Sequence, residues 1–249
     1  MNTRREAWRP RGAPPPLAEG TVHMWYAPLD ADPTAHARLE RVITPEERAR
    51  AARLRDPVAA RRFAAARGFL RTLLGAYLDR PADAVRILVD RAGKPRLPSP
   101  APLDVRFNVS HSGGHALVAV ARGIEVGVDI ECEAPRGPVD RLARRVLAAR
   151  ERRMLERLDG ADRLRAFLAI WTRKEALVKA IGCGVFGTPL HALDLGAGED
   201  GGWLVHRDPA TGTQWALRSI RPPVPGYTAA VAVQGSPADV RCYRLTGPA

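Results

Sequence analysis

The chain predicts an α+β fold in which one pattern, strand then helices then strands, is written twice. Two long segments, Arg61 to Leu78 and Arg163 to Ile181, carry apolar residues close to helical spacing. Short apolar runs bounded by Gly and Pro precede and follow each of them, as strands do. At 249 residues and 45% hydrophobic content there is enough apolar material for one large domain or two halves of about 120 residues. No close sequence repeat is visible, so the duplication exists only at the level of secondary structure.

Taken in order, residues 1–20 combine arginines with a Pro14-Pro15-Pro16 run and predict a disordered extension. A strand follows at Thr21 to Ala27. Thr44-Pro45-Glu46-Glu47 supplies a helix start, with a capping threonine, proline at the first helical position and acids in the first turn. The second, longer helix spans Arg61 to Leu78 and stops before Pro81. Val85 to Val89 predicts a strand, and proline-rich Gly93 to Pro102 is irregular. Three strands then follow in succession, Phe107 to Ser110, His115 to Ala121 and Ile124 to Glu131, with turns at Ser112-Gly113-Gly114 and Arg122-Gly123. Val139 to Leu158 and Arg163 to Ile181 are helical. Leu190 to Leu245 holds β-type runs, among them Tyr227 to Val233.

The net charge of +12 points to polyanionic partners: nucleic acid, acidic proteins or phosphorylated small molecules. Cys132, Cys183 and Cys242 are odd in number and far apart, which fits free thiols in a reducing compartment better than a disulfide framework or zinc site. The N-terminus has no apolar stretch of signal-peptide length, and the longest apolar run, near Ala116 to Ala121, is too short to cross a bilayer. The expectation is a soluble cytoplasmic protein with no membrane contact.

Lys and Arg total 39, yet only three are lysine: Lys94, Lys174 and Lys179. In a chain that uses arginine by default, these positions suggest a need for a compact ammonium rather than a planar fork. Val126 to Glu131 alternates strictly, so Asp129 and Glu131 share one strand face, roughly 6.5–7 Å apart at Cα. Gly127 on that face leaves open space beside them. Glu175 and Lys179 are spaced i, i+4 on one helix face. Read alone, each feature suits an ordinary surface; an exposed pair of this kind contributes about 0.3–0.5 kcal/mol. Read together, three carboxylates within about 4–6 Å repel by several kcal/mol per pair, and a divalent cation removes that repulsion. All-oxygen ligands suit magnesium, which accepts phosphate oxygens from a substrate.

Gly93-Lys94-Pro95, Phe107-Asn108-Val109-Ser110-His111-Ser112, Val126 to Glu131 and Trp171-Thr172-Arg173-Lys174-Glu175-Ala176-Leu177-Val178-Lys179 together resemble the signature of the 4′-phosphopantetheinyl transferases, in the larger, monomeric Sfp-type branch. The resemblance covers roughly residues 40–190, with a weaker echo at Gly226 to Ala232. It implies two pseudo-symmetric α+β halves, 21–123 on the nucleotide side and 124–249 on the metal and catalytic side, each a small antiparallel sheet packed with helices. It also implies transfer of the phosphopantetheine arm of coenzyme A to a serine of an apo acyl or peptidyl carrier protein, leaving adenosine 3′,5′-bisphosphate.

Carried over by motif, Asp129, Glu131 and Glu175 would hold Mg2+ or Mn2+. Glu175 is a candidate base, and Lys179 would neutralise phosphate or protonate the leaving group. Gly93, Lys94, Pro95, Ser110, His111, Asp129, Lys174 and Lys179 would surround coenzyme A. Arg50, Arg67, Arg71 and Thr72 resemble positions that hold the 3′-phosphate; Arg67 and Arg71 are i, i+4 and repel unless an anion sits between them. Glu47 departs from the pattern, standing where some relatives carry a basic residue, so Arg48, Arg50 and Arg67 are interchangeable in this role. Gly182 to Gly187 resembles a carrier-contact region, where Val185 and Phe186 meet the carrier or pack beneath their own loop. Carrier proteins are typically acidic around the target serine, which suits a basic enzyme.

A nucleic-acid-binding module would gather its basic residues on one element with interleaved aromatics. Here the arginines are spread along the chain and aromatics are 6%. The intact set Asp129, Glu131, Glu175 and Lys179 argues against an inactive coenzyme A binder.

Overall fold

The computed structural model describes residues 7–30, 32–91, 93–99, 102–134, 139–182, 189–196, 202–236 and 238–245. Its first long strand, β2 (Thr21–Pro28), is buried almost throughout because it lies inside a sheet covered on both faces. Val22, Met24 and Tyr26 face one core and Trp25 and Ala27 another. Helix α1 (Pro33–Arg41) follows, started by Asp32, whose carboxylate accepts the Thr34 and Ala35 amides. It escapes the sequence pattern because none of its residues is buried, though Asp32-Pro33 is a legible start signal. Helix α2 (Pro45–Ala52) begins with the expected capping box between Thr44 and Glu47. Helix α3 (Pro57–Leu78) starts earlier than its apolar period indicates, because Asp56 caps it and proline occupies its first turn.

A short hairpin, β3 (Leu88–Val89) with β4 (Pro95–Arg96), replaces the longer strand expected at 85–89. β5 (Val105–Ser112) and β6 (His115–Arg122) form the next hairpin, followed by β7 (Val126–Cys132). The single helix expected over 139–158 is two, α4 (Val139–Val146) and α5 (Ala149–Leu155). The break is capped by Glu151, whose carboxylate accepts the Ala148 amide at 2.7 Å. Helix α6 (Gly160–Ile181) ends at Gly182 with φ 79°, a left-handed cap that glycine adopts without steric cost. Strands β8 (Trp203–Arg207), β9 (Gln214–Ile220), β10 (Tyr227–Gln234) and β11 (Asp239–Leu245) complete the described chain.

One sheet runs β7-β10-β9-β8 and is antiparallel throughout. The other runs from β11 through β2 and β6 to β5, with a further strand, β1 (Arg9–Arg11), on the far side of β11. Two expectations are corrected here. The 1–20 extension is not without structure over Arg9–Arg11, which pairs in parallel with β11. Trp8 anchors it, donating to the Arg221 carbonyl at 2.8 Å and meeting the Tyr26 ring edge-on. The division at 123 separates the two sheets only as far as β10. β11 crosses back and pairs in parallel with β2, so the first sheet is mixed rather than antiparallel.

The sheets share one core. Val22 and Met24 of β2, Leu117 of β6, Val128 and Ile130 of β7 and Val231 of β10 all lie in it. Helix α3 covers the outer face of the first sheet through Phe69, Leu70, Leu73 and Leu74. Helix α6 covers the outer face of the second through Ala176, Leu177 and Ala180. The architecture is α+β with two halves, each a sheet backed by one long helix, and β5 and β7 stand at the edges where the two sheets meet.

Candidate active site

The alternation of β7 sends Val126, Val128 and Ile130 into the shared core, and Gly127, Asp129 and Glu131 towards α6. Gly127 does not leave open space for a ligand, as its sequence context suggests. A Cβ there would fall 2.0 Å from the Ala176 carbonyl oxygen and 2.4 Å from the Ala180 amide nitrogen, so the missing side chain admits the helix backbone itself. That close approach brings Glu175 and Lys179, one turn apart on α6, onto the acids of the strand.

Lys179 Nζ lies 2.6 Å from Asp129 Oδ1 and 2.9 Å from Ser110 Oγ, and Ser110 donates to the same carboxylate oxygen at 2.8 Å. Asp129 Oδ2 is buried and has no hydrogen-bond partner. Glu131 Oε2 accepts from Ser112 Oγ at 2.9 Å, and Oε1 faces Trp171 Nε1 at 3.4 Å. Glu175 is 6% exposed. Burial pushes its carboxyl up to about 7; the Asp129 charge adds to this, Lys179 opposes it and Glu131 adds further. Asp129 is also raised, by burial above all and against the pull of Lys179. His111 is lowered first by desolvation and then by the Lys179 cation, with Glu131 opposing. Six of the expected site residues therefore converge: Ser110, His111, Asp129, Glu131, Glu175 and Lys179.

Among the described residues no group of three or more acids, histidines or cysteines is arranged around a common ion position. Asp129 is turned to Ser110 and Lys179, and Glu131 to Ser112. The donor set nevertheless fits a hard divalent cation. Its oxygens are all carboxylate, Asp129 Oδ2 lacks any partner, and Glu175 is raised by burial first and then by the charges of the other two acids.

Lys94 Nζ bridges the halves, donating to Glu125 Oε2 at 2.6 Å and to the Ala180 carbonyl at 2.8 Å. Gly93, at φ 87°, makes the turn that presents it. Lys94 and Pro95 line a cavity of about 290 Å3 with Asp90, Arg106, Phe107 and Glu125, between the two sheets' edges.

Other expectations are corrected. Lys174 is 0% exposed and cannot meet coenzyme A. It points behind α6, where Nζ donates to Glu151 Oε2 at 2.5 Å and to the Val146 and Leu190 carbonyls at 2.9 Å each. Arg71 is 3% exposed, and its guanidinium is engaged by Glu47 at 2.6 Å and by the Val85 carbonyl at 2.7 Å. Arg67 Nε holds the other Glu47 oxygen at 2.6 Å. The anion between these two arginines is thus internal, which accounts for the acid at position 47. Thr72 lines a separate hollow at the end of α3 with Gly75 and Arg80. Arg48 bonds the carbonyls of Glu40 and Ile43, while exposed Arg50 stacks over Phe63, 5.2 Å from the ring centre. Of the expected carrier-contact segment, only Gly182 is described; 183–187 lie outside the described residues.

Sequence reasoning gave no individual role to Glu125, Trp171, Asn108 and Ser112, although the last three stand in its motifs. The last two had a signal: Asn108, Ser110 and Ser112 alternate on one face of β5. Asn108 accepts the Val128 amide at 3.1 Å, so all three polar side chains stitch β5 to β7.

Comparison with known proteins decides the family. The model of the 4′-phosphopantetheinyl transferase superfamily matches residues 125–232, and that of the 4′-phosphopantetheinyl transferase N-terminal region matches 30–123. The chain is 33% identical over 235 residues to the 4′-phosphopantetheinyl transferase HetI of Nostoc sp., covering 93% of this chain and 95% of that one. The chain belongs to the 4′-phosphopantetheinyl transferases. It is 31% identical over 210 residues to the phosphopantetheinyl transferase of Thraustochytrium sp., covering 78% and 70% of the two chains. It is 42% identical over 90 residues to the 4′-phosphopantetheinyl transferase AcpT of Salmonella typhimurium, covering 36% and 46%. It is a transferase of the larger, Sfp-like kind.

Proposed function

We propose that this transferase moves the 4′-phosphopantetheine group of coenzyme A to a serine of an apo acyl or peptidyl carrier protein, releasing adenosine 3′,5′-bisphosphate. The observation that carries this reading is the meeting of β7 and α6, which sets Asp129 and Glu131 beside Glu175 and Lys179 over a backbone contact that only Gly127 permits. The serine oxygen attacks the phosphorus that bears the pantetheine arm, in line with the bond to the departing nucleotide phosphate. Such a transfer needs mainly positioning and charge neutralisation. Lys179 supplies a fixed cation for the phosphate oxygens. Glu175, ionised in part near pH 7, takes the serine proton directly or through a water. Asp129, Glu131 and Glu175 would hold Mg2+ or Mn2+, which would supply charge neutralisation on the pyrophosphate.

The cavity lined by Lys94, Pro95 and Arg106 would take the nucleotide end of coenzyme A. The basic chain suits an acidic carrier. We place the activity in the cytoplasm and in a monomer. Among the described residues no helix is long and apolar enough to cross a membrane. Incubating the protein with coenzyme A, Mg2+ and apo carriers, then weighing the carriers by mass spectrometry, tests the reading. A carrier gaining the pantetheine phosphate is expected, and no gain across several acyl and peptidyl carriers refutes it. Asp129→Ala and Glu175→Gln are expected to abolish transfer while far-ultraviolet circular dichroism stays unchanged. Wild-type turnover in either variant removes the metal assignment.

A further inference from the structure

Ser112 closes the row of polar side chains on β5, and its hydrogen bonds have a determined polarity. The Cys132 amide donates to Ser112 Oγ at 3.2 Å. The hydroxyl proton is then directed to Glu131 Oε2, 2.9 Å away. Ser110 behaves alike, accepting from Lys179 and donating to Asp129 Oδ1. Two serines on β5 thus face two acids on β7 in one register, each pair 19 residues apart. Glu131 Oε1 accepts from Trp171 Nε1 at 3.4 Å, on α6 one turn before Glu175.

Ser112 is also prevented from retreating. A Cβ on Gly113 would lie 2.5 Å from the Tyr227 hydroxyl, and one on Gly114 would lie 2.4 Å from Asp30 Oδ2. Asp30 is itself gripped by Arg62 through bonds of 2.7 and 2.6 Å. The turn after Ser112 is therefore wedged between a β10 side chain and an ion pair of the first half.

We propose that Ser112 is a positioning residue for Glu131: its hydroxyl holds one carboxylate oxygen so that the other is presented to the divalent cation of the site. This rests on the metal reading given above. Hydrogen-bond partners that orient a ligating carboxylate typically change metal affinity 10- to 100-fold when removed.

The test is titration of the full-length protein with Mn2+ alone, followed by electron paramagnetic resonance of the free ion. Ser112→Ala and the near-isosteric, weakly donating Ser112→Cys are expected to weaken Mn2+ binding about 10-fold, while Ser112→Thr, which keeps the hydroxyl, stays within about 3-fold of wild type. Asn108→Ala, which breaks the same seam but touches no carboxylate, is also expected within about 3-fold. Unchanged affinity in folded Ser112→Ala or Ser112→Cys overturns the proposal. So does equal weakening in Asn108→Ala, because the effect would then belong to the seam. Asp129→Ala separates the two levels of argument. If it abolishes Mn2+ binding and the Ser112 variants leave it intact, only the role of Ser112 falls. If wild type does not bind Mn2+, or Asp129→Ala binds it normally, the metal reading falls too.

Discussion

Replacing Lys174 by Met tests whether this lysine belongs to the catalytic machinery or to the framework behind it. Lys174 is wholly buried, and its three ammonium protons go to Glu151 Oε2 and the carbonyls of Val146 and Leu190. Glu151, also wholly buried, has donors besides the lysine: the Ala148 amide at 2.7 Å on Oε2 and the Leu195 amide at 3.0 Å on Oε1. Methionine keeps most of the stem and its packing, so the loss is almost purely the charge. Removing one partner of a buried ion pair costs about 3–5 kcal/mol, because the other charge stays desolvated and uncompensated. Urea unfolding of Lys174→Met is expected to show a loss of that size. Glu151→Gln added to it removes the stranded charge while keeping a carbonyl oxygen for one of the two amides, and is expected to recover about 2 kcal/mol or more. The KM for coenzyme A, measured on the folded fraction, stays at the wild-type value. A variant of unchanged stability with a raised KM for coenzyme A would falsify this assignment and return Lys174 to the substrate site.

Three further outcomes follow from the same geometry. Gly127→Ala puts a methyl group within 2.0 Å of the Ala176 carbonyl oxygen, so α6 must move off β7. Overpacking of this kind costs about 1–3 kcal/mol, and transfer activity should drop further than stability does; normal activity would show that the close approach does not set the site. Glu47→Gln leaves the Arg67 and Arg71 guanidiniums without their shared anion and is expected to lower stability by about 1–3 kcal/mol in urea, whereas unchanged stability would argue against the clamp. His23, inaccessible to solvent, is lowered from 6.5 to about 4, by burial first and by Arg241 and Arg11, with Asp239 opposing. Its unfolded form takes up a proton first as pH falls, so stability is whole above about 6.5 and declines by up to roughly 3 kcal/mol towards pH 4. His23→Gln should flatten that decline between pH 7.5 and 4.5 in urea titrations, and an unaltered slope would locate the acid sensitivity elsewhere.

What the sequence revealed of the site was local. The period of two on β7 and the i, i+4 spacing on α6 are backbone geometry, and they put Asp129 and Glu131 on one strand face and Glu175 and Lys179 on one helix face; that the two faces meet is a tertiary outcome. The same locality explains the errors. Lys174 is Glu175's neighbour in sequence but lies about 100° around the helix from it, so one motif contains a site residue and a framework residue. The i, i+4 spacing of Arg67 and Arg71 allowed for an anion between them, but did not indicate that Glu47, twenty residues before Arg67, supplies it. The strand order is a long-range outcome: nothing local in Asp239–Leu245 says that it returns to pair with β2. Ser112 shows how much lay between these extremes. Its alternation with Asn108 and Ser110 was visible, yet its meaning depended on β5 and β7 being the edges at which two sheets meet. The acids belong to the second sheet and their serine donors to the first. The division near residue 123 therefore marks a change of sheet and runs through the middle of the site, whose geometry exists only when the two halves are docked.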